Sequence, residues 1–77
     1  MKGRNAVVRV AWDDDAKVWF VKESDIPGLA AKAESLDLLR ARIPMIVQDL
    51  LRDVEGRPDE VELDLIVYAR DRVRLAA

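Results

Sequence analysis

The sequence contains no cysteine and no histidine. Disulfide staples and the common zinc frameworks are therefore excluded, as are Ser-His-Asp and Cys-His catalytic arrangements and any imidazole titrating near neutral pH. An enzyme built on this chain would depend on carboxylates, lysine, tyrosine or a hydroxyl. Aromatics are scarce at 5%, and net charge is small: 13 Lys and Arg oppose 15 Asp and Glu, giving -2 and a pI near 5.0. Such a balance gives no pull toward nucleic-acid backbones or anionic membranes, so neither is an expected partner; a basic protein is the easier match. No apolar run approaches the ~18 to 20 residues of a membrane span. Residues 1–10 carry Lys2, Arg4 and Arg9 without the apolar stretch of a signal peptide, and the expected location is cytoplasmic. What remains is 77 residues, 51% of them apolar, which is enough for one small domain that must live on its core or on a partner chain.

Residues 6–12 form a β-branched run with Val8, Val10 and Trp12 on one face of a first strand. Asp13, Asp14, Asp15, Ala16 and Lys17 make a polar turn, after which residues 18–21 resume the strand composition, so the pair is expected to form a hairpin. Pro27 and Gly28 mark the strongest break in the chain. Residues 29–34 alternate weakly and are expected as a short third strand. Ser35 suits a helix N-cap, with Asp37 in the first turn. Leu36, Leu39, Ile43, Ile46, Val47, Leu50 and Val54 then recur at three- and four-residue spacing, predicting one amphipathic helix over residues 36–54, kinked near Arg40 to Ile43 by Pro44, with two short helices as the alternative, and stopped near Gly56 and Pro58. Residues 61–68 alternate cleanly, with Val61, Leu63, Leu65 and Val67 opposed to Glu62, Asp64, Ile66 and Tyr68. The order is β-β-β-α-β, an α+β domain with a mostly antiparallel sheet and one long helix on one face. The helix bridges strands three and four as a right-handed crossover, and its stripe and the Leu63, Leu65, Val67 face should be the two halves of the core.

Several residues invite a chemical reading. Asp13, Asp14 and Asp15 have the oxygens a hard cation prefers, but three consecutive side chains at a hairpin tip diverge, and a solvated turn is the better account. Glu62 and Asp64 share a strand face, yet polar residues alternating with a buried set are the ordinary pattern of a half-exposed strand. Trp12, Trp19, Phe20 and Tyr68 scatter over both sheet faces by parity, which suits packing better than base stacking. Arg70, Arg72 and Arg74 are basic but interrupted by Asp71 and too few for a nucleic-acid tail. Leu38 and Met45 differ from these: seven residues apart, they stack on the helix face opposite the core stripe, where apolar side chains suggest contact with another chain. No catalytic, metal-binding or cofactor-binding residue is expected.

The pieces Val8-Arg9-Val10-Ala11-Trp12-Asp13, Ala16-Lys17-Val18-Trp19, Ser24-Asp25-Ile26-Pro27-Gly28-Leu29 and Ala33-Glu34-Ser35-Leu36, leading into Ile46-Val47-Gln48-Asp49-Leu50-Leu51, form an ordered set that resembles HicB-like antitoxin domains, in particular their short single-domain subfamily. The resemblance implies a partial RNase H-like fold without its activity. It also implies a non-enzymatic binding module that sequesters a small basic HicA-like ribonuclease toxin. Longer members carry a C-terminal DNA-binding domain, and only nine residues follow Tyr68 here, so that function is expected to be missing. The residues expected to meet a partner are Leu38 and Met45 on the helix and Asp25 and Ile26 in the Pro-Gly segment. The alternative is a stand-alone homo-oligomer, in the first instance a homodimer, without a toxin.

Overall fold

The computed structural model describes residues 4–76. Five elements follow the expected order: β1 (Arg4–Asp13), β2 (Val18–Ser24), β3 (Lys32–Ala33), α1 (Leu36–Leu51) and β4 (Val61–Tyr68). They build one four-stranded sheet in the order β3-β2-β1-β4, in which β1 pairs antiparallel with β2 and parallel with β4, while β2 pairs antiparallel with β3. The helical crossover thus joins the two opposite edges of a mixed sheet.

Each connection has a local cause. Between β1 and β2 the Asp13 carboxylate accepts from the N–H groups of Asp15 and Ala16 at 3.0 and 3.2 Å, and Lys17 takes a φ of 59° while its N–H donates to the Asp13 carbonyl at 2.7 Å. After β2, residues 26–29 form a turn with Pro27 second and Gly28 third. The Leu29 N–H donates to the Ile26 carbonyl at 3.2 Å, and Gly28 has a φ of 83°, the requirement of a type II turn. Ser35 caps α1 by accepting from the Leu38 N–H at 3.1 Å.

The helix is continuous through Pro44 and is not split in two. Arg40 and Pro44 both face solvent, so water can take the hydrogen bond that the Arg40 carbonyl loses. It ends at Leu51, one turn before the expected Val54, with the Arg52 N–H donating to the Asp49 carbonyl. Its buried row is Leu39, Ile43 and Val47, continued by half-buried Leu51; Leu50 and Val54, expected in the stripe, are 36% and 47% exposed. The row runs at four-residue spacing, and with the helix ending early, Leu50 falls on its flank and Val54 on a loop.

The core is asymmetric. Leu39, Ile43 and Val47 meet Ala6, Val8 and Val10 of β1 together with Ile26, Leu29 and Ala33. The strand expected to supply half of the core contributes less: Leu63 and Leu65 are half-buried and Val67 is 44% exposed. The physical reason is lateral placement, since the helix backbone lies over β2 and β3 while β4 is the opposite edge. Trp12, placed by parity on the core face, is likewise 37% exposed, packing against Trp19 with ring centroids 5.4 Å apart. The described chain measures 60 × 21 × 18 Å with a radius of gyration of 15.3 Å. A compact domain of this length would have about 11 Å.

Candidate functional site

A groove of about 420 Å³ lies at the end of the molecule where β1 and β4 begin and α1 ends. Its apolar lining comes from Ile26, Pro27, Leu51, Val54 and Val61. Three features of the chain produce it. The helix stops at Leu51 short of covering the sheet; the 26–29 turn raises Ile26 and Pro27 beside it; and residues 52–60 leave the helix without regular structure, turning at Gly56 with a φ of 77° before entering β4. Asp25 and Glu55 supply carboxylates to the lining and Arg4 and Arg57 supply guanidinium groups. The loop that frames this end, residues 53–60, contains Asp53, Glu55, Asp59 and Glu60 against Arg57.

Of the four residues expected to meet a partner, the structure brings two to this groove and leaves two elsewhere. Asp25 lines it but also holds two strands together. Its carboxylate accepts from the Val7 N–H at 2.8 Å, and its own N–H donates to the Val7 carbonyl at 3.0 Å, extending the β1–β2 ladder by one residue. That ladder carries a bulge, because Arg9 faces Glu23 while Val10 faces Val21, leaving Lys22 as the extra residue. Ile26 touches the groove but is only 7% exposed, so its main role is in the core; Ser24 holds it there, donating to the Ile26 carbonyl at 2.9 Å and accepting from its N–H at 3.1 Å. Leu38 and Met45 stand on the outer helix face, 48% and 67% exposed, and do not line the groove. Around them Asp37 and Asp49 are matched by Arg40, Arg42 and Arg52, a mixed surface on which Arg52 pairs with Asp49 at 2.6 Å and Arg42 donates to the Lys32 carbonyl at 2.7 Å.

Leu51, Val54 and Glu55, which also line the groove, are not among the residues expected to meet a partner. The available signal was the density of acidic residues between Asp53 and Asp64 directly after an apolar stripe.

The carboxylates of the hairpin tip are engaged in the turn. Asp13 caps it, and Asp14 ion-pairs with Lys17 at 2.9 Å while accepting from the Trp12 indole N–H at 3.3 Å. The hydrogen bonds from Lys17 and Trp12, reinforced by the Lys17 charge, hold the Asp14 carboxyl below its ordinary value. Among the described residues, no three acidic groups are gathered as a metal site would gather them, and no helix is long and apolar enough to cross a membrane.

Comparison with known proteins adds a family. The model of a domain of unknown function, DUF1902, a small HicB-like domain family, matches residues 5–77. A crystal structure of the hypothetical protein TTHA1013 from the extremely thermophilic bacterium Thermus thermophilus is similar, with 34% sequence identity and a TM-score of 0.65 over 94% of this chain and all of that one. A search of the curated proteins found no match.

Proposed function

Because the chain belongs to the DUF1902 family, whose membership fixes a fold and leaves the activity open, we propose from the geometry of the groove that it is a non-enzymatic protein-binding module of the HicB type. Its partner is a basic protein, in the first instance a small ribonuclease toxin that the module holds inactive. The observation that carries this reading is the pairing of an apolar groove with an acidic frame. Val54, Leu51 and Pro58 offer apolar area, and Asp25 and Glu55 of the lining, with Asp53, Asp59 and Glu60 of the same loop, outnumber Arg4 and Arg57. An interface of that composition gains affinity from the buried apolar centre, while its charged rim sets encounter rate and partner choice. The chemistry required of the module is surface complementarity, so no reacting group is assigned to Glu62 or Asp64.

The test is co-expression with the product of a small basic gene neighbouring this one. The complex should survive purification, and RNA cleavage by the partner should be suppressed. Glu55→Lys combined with Asp53→Lys should weaken the complex and restore cleavage, whereas Leu38→Asp should leave it unchanged. Absence of binding and undiminished RNA cleavage would remove the toxin-holding reading.

A second reading, a homo-oligomer acting without a toxin, is favoured by a different observation, the open edge of β4.

A further inference from the structure

β4 is the terminal strand of the sheet, with β1 on one side and, among the described residues, nothing on the other. Exposed edges are usually made short, bulged or proline-bearing to prevent strand addition. This one is eight residues long, contains no proline, and holds unbroken register with β1 from Arg4 opposite Val61 to Ala11 opposite Tyr68. Residues 69–76 beyond it have no regular structure, yet they expose Val73 and Leu75 at 76% and 86%. From Val61 to Ala76 an extended chain covers about 50 Å at the rise of a β-strand. The 60 Å long axis of the molecule therefore requires this tail to carry on along the β4 direction.

The alternation of β4 also continues into the tail sequence. Glu62, Asp64, Ile66 and Tyr68 lie on the sheet face turned away from the helix and share their parity with Arg70, Arg72 and Arg74; Val61, Leu63, Leu65 and Val67 lie on the helix-side face and share theirs with Ala69, Asp71, Val73 and Leu75, so a tail continued as a strand would carry both series on. The first half of one series is acidic and its second half basic. An antiparallel pairing of this segment with itself about a two-fold axis at Tyr68 sets Glu62 opposite Arg74 and Asp64 opposite Arg72, and on the other face Val61 opposite Leu75 and Leu63 opposite Val73. Two pairs are mismatched, Leu65 opposite Asp71 and Ile66 opposite Arg70. Centring the axis on Val67 makes three acid–arginine pairs, Glu60 with Arg74, Glu62 with Arg72 and Asp64 with Arg70, but sets Leu63 against Asp71 and Leu75 against Asp59, leaving Val61 with Val73 as the one pair of large apolar residues on the helix-side face; centring it on Ala69 leaves a single acid–arginine pair, Asp64 with Arg74. A shift that moves the axis between residues would turn each apolar series against the opposite face. Among the described residues Glu62, Asp64, Arg72 and Arg74 form no ion pair within the chain, so their charges are available across such a junction.

We propose that the occupant of the β4 edge is a second copy of this chain, with residues 61–75 of the two copies paired antiparallel about Tyr68 to join two four-stranded sheets into one. The contact is isologous and closes on itself, as a two-fold dimer requires. The Val73 and Leu75 side chains of each copy then lie beside Leu63 and Val61 of the other, on the sheet face where the core and the groove are. This junction uses the edge of the sheet and holds whether or not the groove receives a basic partner.

The chain has no cysteine, so a single introduced thiol reports its own symmetry mate. Residues directly opposite in an antiparallel pair have Cα atoms about 4.5 to 5.5 Å apart, within disulfide reach. Tyr68→Cys in the purified chain alone should oxidise to a covalent dimer far faster than Leu38→Cys, and sedimentation of the unmodified chain should show a concentration-dependent dimer. Arg72→Glu with Arg74→Glu should raise the dimer dissociation constant about tenfold or more, with helical content unchanged by circular dichroism. Adding Glu62→Arg and Asp64→Arg to that variant should restore it. A monomer at every concentration, Tyr68→Cys reacting no faster than Leu38→Cys, faster coupling through Val67→Cys, or failure of the charge exchange would each overturn the proposal. Because no second protein is present, these outcomes leave the toxin-holding reading to its own test.

Discussion

β1 and β4 lie side by side in parallel, and their helix-side residues face each other in register: Ala6 with Leu63, Val8 with Leu65, Val10 with Val67. The β1 members of these pairs are 6%, 0% and 0% exposed. Those of β4 are half-buried at Leu63 and Leu65 and 44% exposed at Val67. Both strands turn every second residue, an apolar one in each of these pairs, toward the helix side, so the difference is one of position. β1 is flanked on both edges and roofed by Leu39, Ile43 and Val47, whereas β4 has one neighbour and no helix above its far end. Alternation determines which face a residue takes; depth depends on what other elements cover it.

The sharpest way to break this comparison is to truncate one residue from each region. Leu39→Ala empties the centre of the covered region and should cost about 3 kcal/mol, a large part of the ~5 to 15 kcal/mol that holds a domain together. Val67→Ala removes a side chain already half in water and should cost under ~1 kcal/mol in the monomer. Urea unfolding of both variants at low protein concentration measures the two values, and equal losses would mean that β4 is as well covered as β1.

Intermediate effects belong at the turn where the body meets the groove. Gly28→Ala forces a side chain into a positive-φ conformation and should destabilise by about 1 kcal/mol. The strain is purely torsional, since the added Cβ would sit an ordinary 3.6 Å from Leu50 Cδ2. Asp25→Ala leaves the Val7 N–H without its acceptor, also about 1 kcal/mol, and Asp25→Asn, which keeps an acceptor, should recover most of it. Thermal melts of the three variants check these values. A full loss in Asp25→Asn would show that charge rather than hydrogen bonding matters there.

Features decided within a few residues are legible in the sequence itself: the Ser35 cap, the Pro27-Gly28 turn, the hairpin at the three aspartates and the parity of β4. Features decided by distant elements are not. Nothing in Val67 announces that its strand sits at an edge, because strand order follows from how the crossover spans the sheet. The helix stripe is legible as a stripe, but its buried row steps by four residues from Leu39 through Leu51, which leaves Leu50 on the flank, and the early helix end puts Val54 on a loop. The groove arises from that same early end. Asp25 and Ile26 stand out in the sequence as parts of an ordered motif, and the fold gives that motif a structural reason: one residue laces β2 to β1 and the other fills the core.

Smaller effects sharpen the comparison from the exposed side. Leu38→Asp, on the outer helix face, should change stability by no more than about 0.5 kcal/mol, and circular dichroism with a thermal melt would detect a larger change. A markedly destabilised variant would mean that this face is covered in solution.

The smallest effect is expected at Asp14, and it has a sign that pH exposes. Lys17 and Trp12 hold the folded-state carboxyl below its ordinary value of 3.8, so the charged form is favoured by folding. Its stabilising contribution is present above 3.8 and disappears as pH falls through the lowered folded-state value. Asp14→Asn should therefore melt slightly below the unmodified chain at neutral pH, with the gap closing in strong acid. Because the group is fully exposed, the gap should also shrink as salt is added. A gap that survives both acid and salt would locate the loss in the Trp12 hydrogen bond and the packing of the hairpin tip, and the ion pair with Lys17 would then contribute nothing to holding β1 against β2.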